Sequence, residues 1–243
     1  MSALLQIKEL HKSFGSANLL QGISLEIGLG ERRAIIGPNG AGKSTLFNII
    51  TGQLRPTAGS VFFQNHEITT LPIEKRSRLG IARTLQSSSC FLRLTLLENL
   101  LGAAQRGHGW LRISKESSEN SENILQQIGL DGVRDTPVAR ISHGERRLLE
   151  IGIALATRPK LLLLDEPMAG LSNEDKGRVF QLIKNLEDVS LLFVEHDMES
   201  VFGLADRITV LHQGRLFAEG SVEEIRVDSR VHEIYLSGRV SSA

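Results

Sequence analysis

Hydrophobic and polar positions follow two different periods along this chain. Residues 4–10 and 23–27 alternate apolar and polar side chains, as half-buried strands do. Residues 43–51 and 144–156 instead place apolar side chains three and four positions apart, which predicts two amphipathic helices. Residues 161–164 are four leucines in a row, and such a run suits a strand buried on both faces of a parallel sheet. The pattern therefore predicts an α/β protein.

The rest of the pattern predicts how the chain is organised. Residues 95–130 read as mostly helical, with a break at Gly107-His108-Gly109, and no internal repeat or low-complexity linker interrupts the chain. We expect one domain over residues 1–243, with a core formed by 1–89 and 160–243 and a helical insert at about 90–159. Further predicted elements are strands at 33–36, 61–63 and 191–194, a helix at 174–186, and a closing hairpin of 208–211 with 215–218.

Composition narrows the class of protein. With 41% hydrophobic and 23% charged residues among 243, the chain has enough apolar side chains to build a core. Lys and Arg number 28, as do Asp and Glu, so the basic excess expected of a nucleic-acid-binding protein is missing. No apolar run approaches the ~20 residues that cross a bilayer, and no secretory signal is recognisable. Cys90 is the only cysteine, which fits a reducing compartment.

The first chemical motif lies between a predicted strand and a predicted helix. Residues 37–45, GPNGAGKST, fit the pattern G-x-x-x-x-G-K-[ST]. Its glycines let backbone N–H groups close around phosphate oxygens, and the helix N-terminus favours an anion. Lys43 is expected to reach the β- and γ-phosphates of a nucleotide, and Ser44 to bind Mg²⁺. The alternative, a glycine-rich turn without function, does not account for the strand and helix on either side.

The second motif places two acids after a buried strand. Residues 160–167, KLLLLDEP, end the apolar run with Asp165 and Glu166, at the edge of the sheet where ligands bind in such folds. Asp165 is expected to hold Mg²⁺, and Glu166 to orient or deprotonate an attacking water. Alone, this motif could equally be a buried strand with solvated end charges. Together with the phosphate loop it predicts a P-loop nucleotidase.

Three further features narrow this class. The segment Ile141-Ser142-His143-Gly144-Glu145 precedes a long helix, His196 follows the strand at 191–194, and Gln86 ends the run from Ile81. Taken singly, the serine segment is also an ordinary helix N-cap box, and His196 could be a structural histidine. In this order, however, the motifs resemble those of the ATP-binding cassette (ABC) family, specifically the nucleotide-binding subunit of a transporter. The resemblance covers almost the whole chain.

The resemblance implies a P-loop NTPase of the ABC ATPase fold, with a RecA-like core sheet, an antiparallel β subdomain and a helical insert. It implies ATP and Mg²⁺ as cofactors, and Phe14 as the aromatic that stacks on adenine. The implied catalytic residues are Lys43, Gln86, Glu166 and His196, and the implied metal ligands are Ser44, Gln86 and Asp165. The implied nucleotide-binding residues are Phe14, Gly37, Pro38, Asn39, Gly40, Ala41, Gly42, Lys43, Ser44, Thr45, Ser142, Gly144 and Glu145. In this family Ser142 and Gly144 would contact the ATP of the opposite subunit, so that two chains sandwich two ATP molecules.

The usual signature segment of the family is L-S-G-G-Q, whereas this chain has Ile141, Ser142, His143, Gly144 and Glu145 at these positions, so the serine and the second glycine are kept. His143 stands where the family usually has glycine, and Ala169 in the D-loop at 169–172 replaces the usual serine. We expect the extra bulk of His143 near the dimer interface to change the turnover rate but not the role of the segment.

Local segments such as 195–198, 146–151 and 218–225 look like the branched-chain amino acid importer ATPases. The resemblance therefore implies an energy-coupling ATPase on the cytoplasmic face of the membrane. Its expected partners are integral membrane permease subunits, a second ABC ATPase subunit (itself or a paralogue) and, indirectly, a solute-binding protein, with no nucleic acid. Urea importer ATPases resemble the chain as well, and the lipopolysaccharide-export ATPase is expected to be a more distant relative. A soluble non-transport ABC ATPase and a small-molecule kinase are the remaining alternatives.

Three other features carry no expected chemistry. The basic run Lys75-Arg76-Ser77-Arg78 is expected to be a solvated face. Trp110 is expected to anchor a loop, with contact to a membrane partner as the alternative, and Cys90 to be a small filler.

Overall fold

The computed structural model describes residues 3–84, 90–105 and 114–240. The chain divides into two compact units, Met1–Leu79 with Val189–Ala243, and Gly80–Asp188. These bounds differ from the predicted core and insert, because residues 80–89 and 160–188 fall in the same unit as the helical segments. The predicted single domain with its insert stays a prediction.

The first unit contains an antiparallel sheet that begins at the N-terminus. Its strands are β1 (Ala3–Phe14), β2 (Ala17–Gly28), β4 (Ala58–Phe63) and β5 (His66–Glu67), in the spatial order β2-β1-β4-β5. One face packs on the core because alternate residues such as Leu5, Ile7 and Ile27 are buried. The alternation predicted for 4–10 and 23–27 is therefore present, although both strands are longer than predicted.

The same unit contains a second run of strands in the order β10-β9-β3-β8. β3 (Arg32–Ile36) lies parallel to both β8 (Ser190–Val194) and β9 (Arg207–His212), and β10 (Arg215–Ser221) closes an antiparallel hairpin with β9. The side chains of Ala34, Ile35 and Ile36 are fully buried. Helices of this unit are α1 (Lys43–Thr51), α2 (Ile73–Leu79), α7 (Met198–Leu204), α8 (Val222–Val227) and α9 (Ser229–Val240).

One basic side chain contradicts the expected solvated face in α2. Lys75 and Arg78 are exposed, but Arg76 is only 1% exposed. Its guanidinium donates to the carbonyl oxygens of Ile49 and Ile50 at the end of α1, at 2.6 and 2.8 Å, and also to Leu71 and Thr69. Arg76 therefore supplies side-chain donors to the last turn of α1, where the Gly52 N–H also donates to the Ile49 carbonyl oxygen at 3.2 Å. Burial lowers the pKa of this guanidinium to about 10.

The second unit combines two parallel strands with four α-helices in its described part. β6 (Ile81–Arg83) pairs with β7 (Leu161–Asp165), so that Ile81 lies opposite Leu161. The helices are α3 (Leu96–Ala104), α4 (Lys115–Gln127), α5 (His143–Ala156) and α6 (Asn173–Lys184). Every residue of β7 is buried, as the run of leucines predicted. The helix predicted at 144–156 starts one residue earlier, at His143.

Candidate functional site

The phosphate-loop motif forms the predicted strand, loop and helix in the first unit. β3 ends at Ile36 and α1 begins at Lys43. Gly42 has φ +102°, and a Cβ there would come within 2.6 Å of the Leu20 side chain and 2.9 Å of the Leu19 carbonyl oxygen. Gly40 also has a left-handed backbone, with φ +79°. Glycine is therefore required where the loop turns into the helix.

The first turn of α1 has no cap from its own sequence. Gly42 is the N-cap residue and supplies no side chain, and no acidic residue lies in the first turn. The buried Lys43 ammonium donates to the carbonyl oxygens of Gly37 and Pro38, at 2.6 and 3.0 Å. Ser44 is exposed and Thr45 is half-buried. A helix N-terminus, a glycine loop and an ammonium thus come together, and all three favour an anion. Of the remaining loop residues, Pro38 is half-buried, Asn39 and Gly40 are exposed, and Ala41 is buried.

Two more predicted residues of the first unit lie at strand ends. Phe14 ends β1 with a 53% exposed side chain, and Lys12 Nζ lies 4.5 Å from the centroid of its ring. His196 is exposed and follows β8, and its backbone N–H donates to Glu195 Oε2 at 3.2 Å. Both side chains are accessible to a ligand, and this argues against His196 as a buried structural histidine.

In the second unit, the two acids lie at the carboxyl end of β7. The Asp165 side chain is 1% exposed, and its Oδ2 accepts a hydrogen bond from Arg83 Nη2 at 2.7 Å. Glu166 follows in a left-handed backbone conformation, with φ +48°, and is half-buried. Non-glycine residues seldom adopt this conformation, and residues that do so cluster at functional sites.

The predicted signature segment forms the start of α5. Ser142 is the N-cap residue: its Oγ accepts from the Glu145 N–H at 3.1 Å, and Glu145 Oε2 accepts from the Ser142 N–H at 2.8 Å. Gly144 is buried, and a Cβ there would overlap the carboxylate of Asp175. The ordinary N-cap box considered above is therefore present, and a side chain at 144 would require the Asp175 carboxylate to move.

Arg147 is a residue of this site that the motifs did not single out. Its guanidinium contacts the backbone of residues 165–167 and also pairs with Glu150. A cavity of about 230 Å³ lies beside it, and His143, Arg146, Asp165, Glu166 and Ala169 are among its lining residues. The only signal in the sequence was the i, i+3 spacing of Arg147 and Glu150 on α5, which is typical of any helical ion pair.

Several predictions fall elsewhere. Gln86 and Trp110 lie outside the described residues. Among the described residues, no group of three or more His, Cys, Asp and Glu side chains is placed to hold a metal ion by itself. Cys90 is buried, as a filler would be; burial and then the Glu150 carboxylate raise the pKa of its thiol to about 11, against a smaller opposing effect of Arg146.

The family model described as ABC transporter matches residues 20–169 of the chain. The chain belongs to the ABC transporter family. The matched stretch begins before the phosphate loop and ends after Glu166, so that one family model includes both motifs.

Relatives of this ABC protein cover nearly its whole length. It is 35% identical over 239 residues to the lipopolysaccharide export system ATP-binding protein of Acidithiobacillus ferridurans, covering 97% of this chain and 98% of that protein. It is 34% identical over 248 residues to the high-affinity branched-chain amino acid transport ATP-binding protein of Escherichia coli (strain K12), covering 96% and 97%. These identities are nearly equal, so the expected greater distance of the export protein is not seen.

Solved structures agree with this family. A crystal structure of the ADP conformation of an ATP-binding cassette of an ABC transporter has a TM-score of 0.88 at 33% identity, covering 97% of this chain and 99% of that one. A dimeric structure of the post-hydrolysis state of another cassette, bound to ADP and Pi, has a TM-score of 0.77 at 26% identity, covering 90% and 98%. The predicted ABC ATPase fold is confirmed.

The ABC protein is a nucleotide-binding ATPase of a transporter, as predicted from its motifs. In the part of the chain that the structure describes, every helix is too short or too polar to cross a membrane.

Proposed function

We propose that this ATPase powers an importer of branched-chain amino acids from the cytoplasmic face of the membrane, with two integral permease subunits and an external solute-binding protein as partners. The main observation behind the ATPase activity is the phosphate loop, where the Lys43 ammonium and the uncapped N-terminus of α1 lie together. The 34% identity to the branched-chain amino acid transport protein, over nearly all of both chains, supports the choice of solute.

Lys43 and the loop are proposed to hold the nucleotide phosphates. The ammonium now donates to two loop carbonyls, and it would exchange these for β- and γ-phosphate oxygens when ATP binds. Backbone N–H groups of residues 37–45 would supply the remaining donors. The exposed ring of Phe14 would stack on the adenine, because an aromatic face packs on a base with little need for hydrogen bonds.

Ser44, Asp165 and Gln86 are proposed as the magnesium ligands, directly or through water. Their oxygens suit Mg²⁺, and the Asp165 carboxylate is already held in one orientation by Arg83. When bound, Mg²⁺ would neutralise charge on the phosphate oxygens. Glu166 would accept a proton from the attacking water, and His196 would contact the γ-phosphate.

A sandwich dimer is proposed to complete the site. Ser142, Gly144 and Glu145 of one chain would cover the ATP held by the phosphate loop of the other, and the sandwich would be formed by two copies or by a copy and a paralogue. The dimeric ADP- and Pi-bound cassette of similar fold supports this arrangement.

The dimer is tested by Glu166→Gln, which keeps the size and hydrogen bonding of the side chain but removes the base. ATP should still bind, hydrolysis should nearly stop, and an ATP-bound dimer should elute early on gel filtration. A monomer at saturating ATP would contradict the sandwich. Lys43→Ala is the matched control, because it should give neither hydrolysis nor the dimer.

Permease docking is proposed on the second unit, at residues that follow Gln86 closely in the sequence. Phe91 and Leu92 are 65% and 43% exposed, which is unusual for large apolar side chains side by side. The buried Asn99 holds the Phe91 backbone: it accepts from the Phe91 N–H at 2.8 Å and donates to the Phe91 carbonyl at 3.1 Å. A fixed, exposed apolar pair of this kind suits contact with a membrane partner.

The solute is tested in the reconstituted complex. ATPase activity of the isolated subunit should not respond to leucine, isoleucine, valine or urea, whereas the complete complex should respond to a branched-chain amino acid. A loaded binding protein that favours the closed dimer by a few kcal/mol would shift a two-state equilibrium roughly a hundredfold. Stimulation by urea alone would assign the chain to a urea importer.

Lipopolysaccharide export is the second candidate, because one export ATPase is 35% identical to this chain. Co-purification with export permeases, and no response to any of the four solutes, would favour it. A cassette that associates with no permease would point to a non-transport ABC ATPase.

A further inference from the structure

Arg147 lies on the helix that begins with the signature segment, but its hydrogen bonds go to the catalytic strand end. Its Nη2 donates to the carbonyl oxygens of Asp165 and Glu166, at 3.0 and 2.7 Å, and its Nε donates to the Pro167 carbonyl oxygen at 2.8 Å. One guanidinium therefore contacts three consecutive peptide groups.

These contacts restrain the backbone of Glu166 on both sides. The Asp165 carbonyl belongs to the peptide plane before the Glu166 Cα, and the Glu166 carbonyl belongs to the plane after it. Fixing both planes restrains φ and ψ, and φ is +48° here. A substitution of Arg147 that removes these donors would leave Glu166 in its disfavoured backbone conformation with fewer hydrogen bonds to hold it there.

The guanidinium is itself held in place. Nη1 donates to Glu150 Oε2 at 3.1 Å, and the side chains of Arg147 and Glu150 are only 12% and 9% exposed. A planar fork with a paired charge and little solvent contact positions its acceptors more rigidly than a lysine ammonium would.

We propose that Arg147 is a positioning residue that sets the direction of the Glu166 carboxylate through the backbone. This rests on the proposed sandwich dimer, in which Glu166 acts on the ATP of its own phosphate loop. Ser142 acts on the ATP of the opposite chain. Arg147 therefore serves the ATP bound to its own chain, although it lies five residues after Ser142 on the signature helix.

The first test is the single variant Arg147→Met, which keeps an unbranched side chain and removes the donors. The kcat for ATP hydrolysis should fall roughly 100-fold, since a misplaced catalytic group costs about that much. The Kd for a non-hydrolysable ATP analogue should stay within about twofold. Arg147→Lys should recover part of kcat. Arg158→Met is the matched control: Arg158 lies beyond the other end of α5, its side chain is 57% exposed, and kcat should not change.

The decisive test mixes inactive chains. Gly144→Asp with Lys43→Ala is the positive control, because their mixed dimer has one intact phosphate loop facing one intact signature. Arg147→Met should restore activity to Gly144→Asp, because the working site then uses the phosphate loop and Glu166 of the Gly144→Asp chain. Arg147→Met should not restore activity to Lys43→Ala. The only intact phosphate loop in that mixed dimer belongs to the Arg147→Met chain, whose Glu166 is displaced.

The opposite pattern, recovery with Lys43→Ala alone, would place Arg147 with the signature and overturn the proposal. Wild-type kcat in Arg147→Met, or a folded Arg147→Met that restores neither partner, would also overturn it. If thermal melting shows that Arg147→Met does not fold, Arg147→Lys takes its place in both mixtures.

A silent positive control would show that a mixed dimer with one intact site does not hydrolyse ATP, and the mixtures would then not test Arg147. Wild-type activity in Gly144→Asp alone would reject the sandwich dimer. The proposal then depends on the single variants. A loss of kcat at unchanged Kd, with partial recovery in Arg147→Lys, supports positioning of Glu166, and equal losses in kcat and affinity overturn it.

Discussion

The helices α1 and α5 both begin at segments proposed to bind phosphate, but their first turns are satisfied differently. α1 starts at Gly42, which offers no capping side chain. α5 starts with a reciprocal capping box between Ser142 and Glu145. A nucleotide would therefore complete the start of α1, whereas the start of α5 is complete in the free chain.

Capping does not prevent Ser142 from binding phosphate. A serine hydroxyl has one donor hydrogen and two acceptor lone pairs. The Ser142 Oγ uses acceptor capacity for the Glu145 N–H, and its own hydrogen stays available for a phosphate oxygen. The box would thus orient the hydroxyl before ATP arrives, so the structural and the functional interpretations of this segment are compatible.

The largest expected effect concerns the start of α1. Lys43→Ala removes the only side-chain cation of residues 37–45, so the uncapped helix start keeps its backbone donors and loses its charge. We expect ATP hydrolysis to fall at least ~100-fold, by analogy with the loss of one transition-state donor, and ATP binding to weaken. Steady-state hydrolysis and fluorescent nucleotide titration measure these. Hydrolysis at the wild-type rate would refute the phosphate-loop assignment.

The next effect concerns the other end of α1, where a side chain does act as a cap. Arg76→Met leaves the carbonyls of Ile49, Ile50, Leu71 and Thr69 without this donor. Because buried acceptors that lose their donor are costly, we expect the free energy of unfolding to fall by roughly 3 kcal/mol. Urea unfolding measures this. Arg78→Met in the same helix is the control and should change stability little, since Arg78 is exposed. Equal effects of the two variants would contradict the capping role.

Local sequence predicted the N-terminus of α1, at the phosphate loop, but not the contacts of Arg76 at its C-terminus. The phosphate loop, the buried run ending at Asp165 and the N-cap pattern at Ser142 are encoded within a few consecutive residues. Such signals depend on backbone preference and periodicity alone.

Arg76 and Arg147 could not be predicted in this way, because Arg76 binds carbonyls at the end of α1, 26 and 27 residues away, and Arg147 binds carbonyls 18 to 20 residues away. Arg76 lies in a run of basic residues that looks like a solvated surface, and only the packing of α2 on the end of α1 buries it. Arg147 reaches residues 165–167, and Arg83 reaches Asp165 only because β6 pairs with β7. The units of the chain differ from the predicted core and insert for a similar reason, since compactness depends on tertiary contacts.

A smaller effect separates the two roles of Ser142. Aspartate is as good an N-cap as serine, whereas alanine is not. Ser142→Ala should therefore lower the free energy of unfolding by about 1 kcal/mol. Ser142→Asp should keep stability but lose hydrolysis, because a carboxylate would face the phosphate of the opposite chain. Thermal melts and ATPase assays measure both. Normal hydrolysis in a stable Ser142→Asp would leave only the capping role.

The smallest effect uses Cys90 as a reporter on the charges of α5. Burial is the main reason that the pKa of its thiol rises from 9.0 to about 11; the Glu150 carboxylate raises it further, and Arg146 opposes this. Since the thiolate is the reactive form, alkylation by iodoacetamide at pH 8 should be about 100-fold slower than for a free thiol of pKa 9.0. Glu150→Gln should speed the reaction, and Arg146→Met should slow it.

The raised pKa of the Cys90 thiol favours the folded protein below pH 9, and this contribution to stability should be lost as pH rises from about 9 to about 11. Cys90→Ala removes that part of the pH dependence, while its ATPase activity should stay within about twofold of wild type, because a buried protonated thiol has no part in the proposed reaction. Fast alkylation in the folded protein at pH 8 would contradict the burial of this thiol and the raised pKa that follows from it.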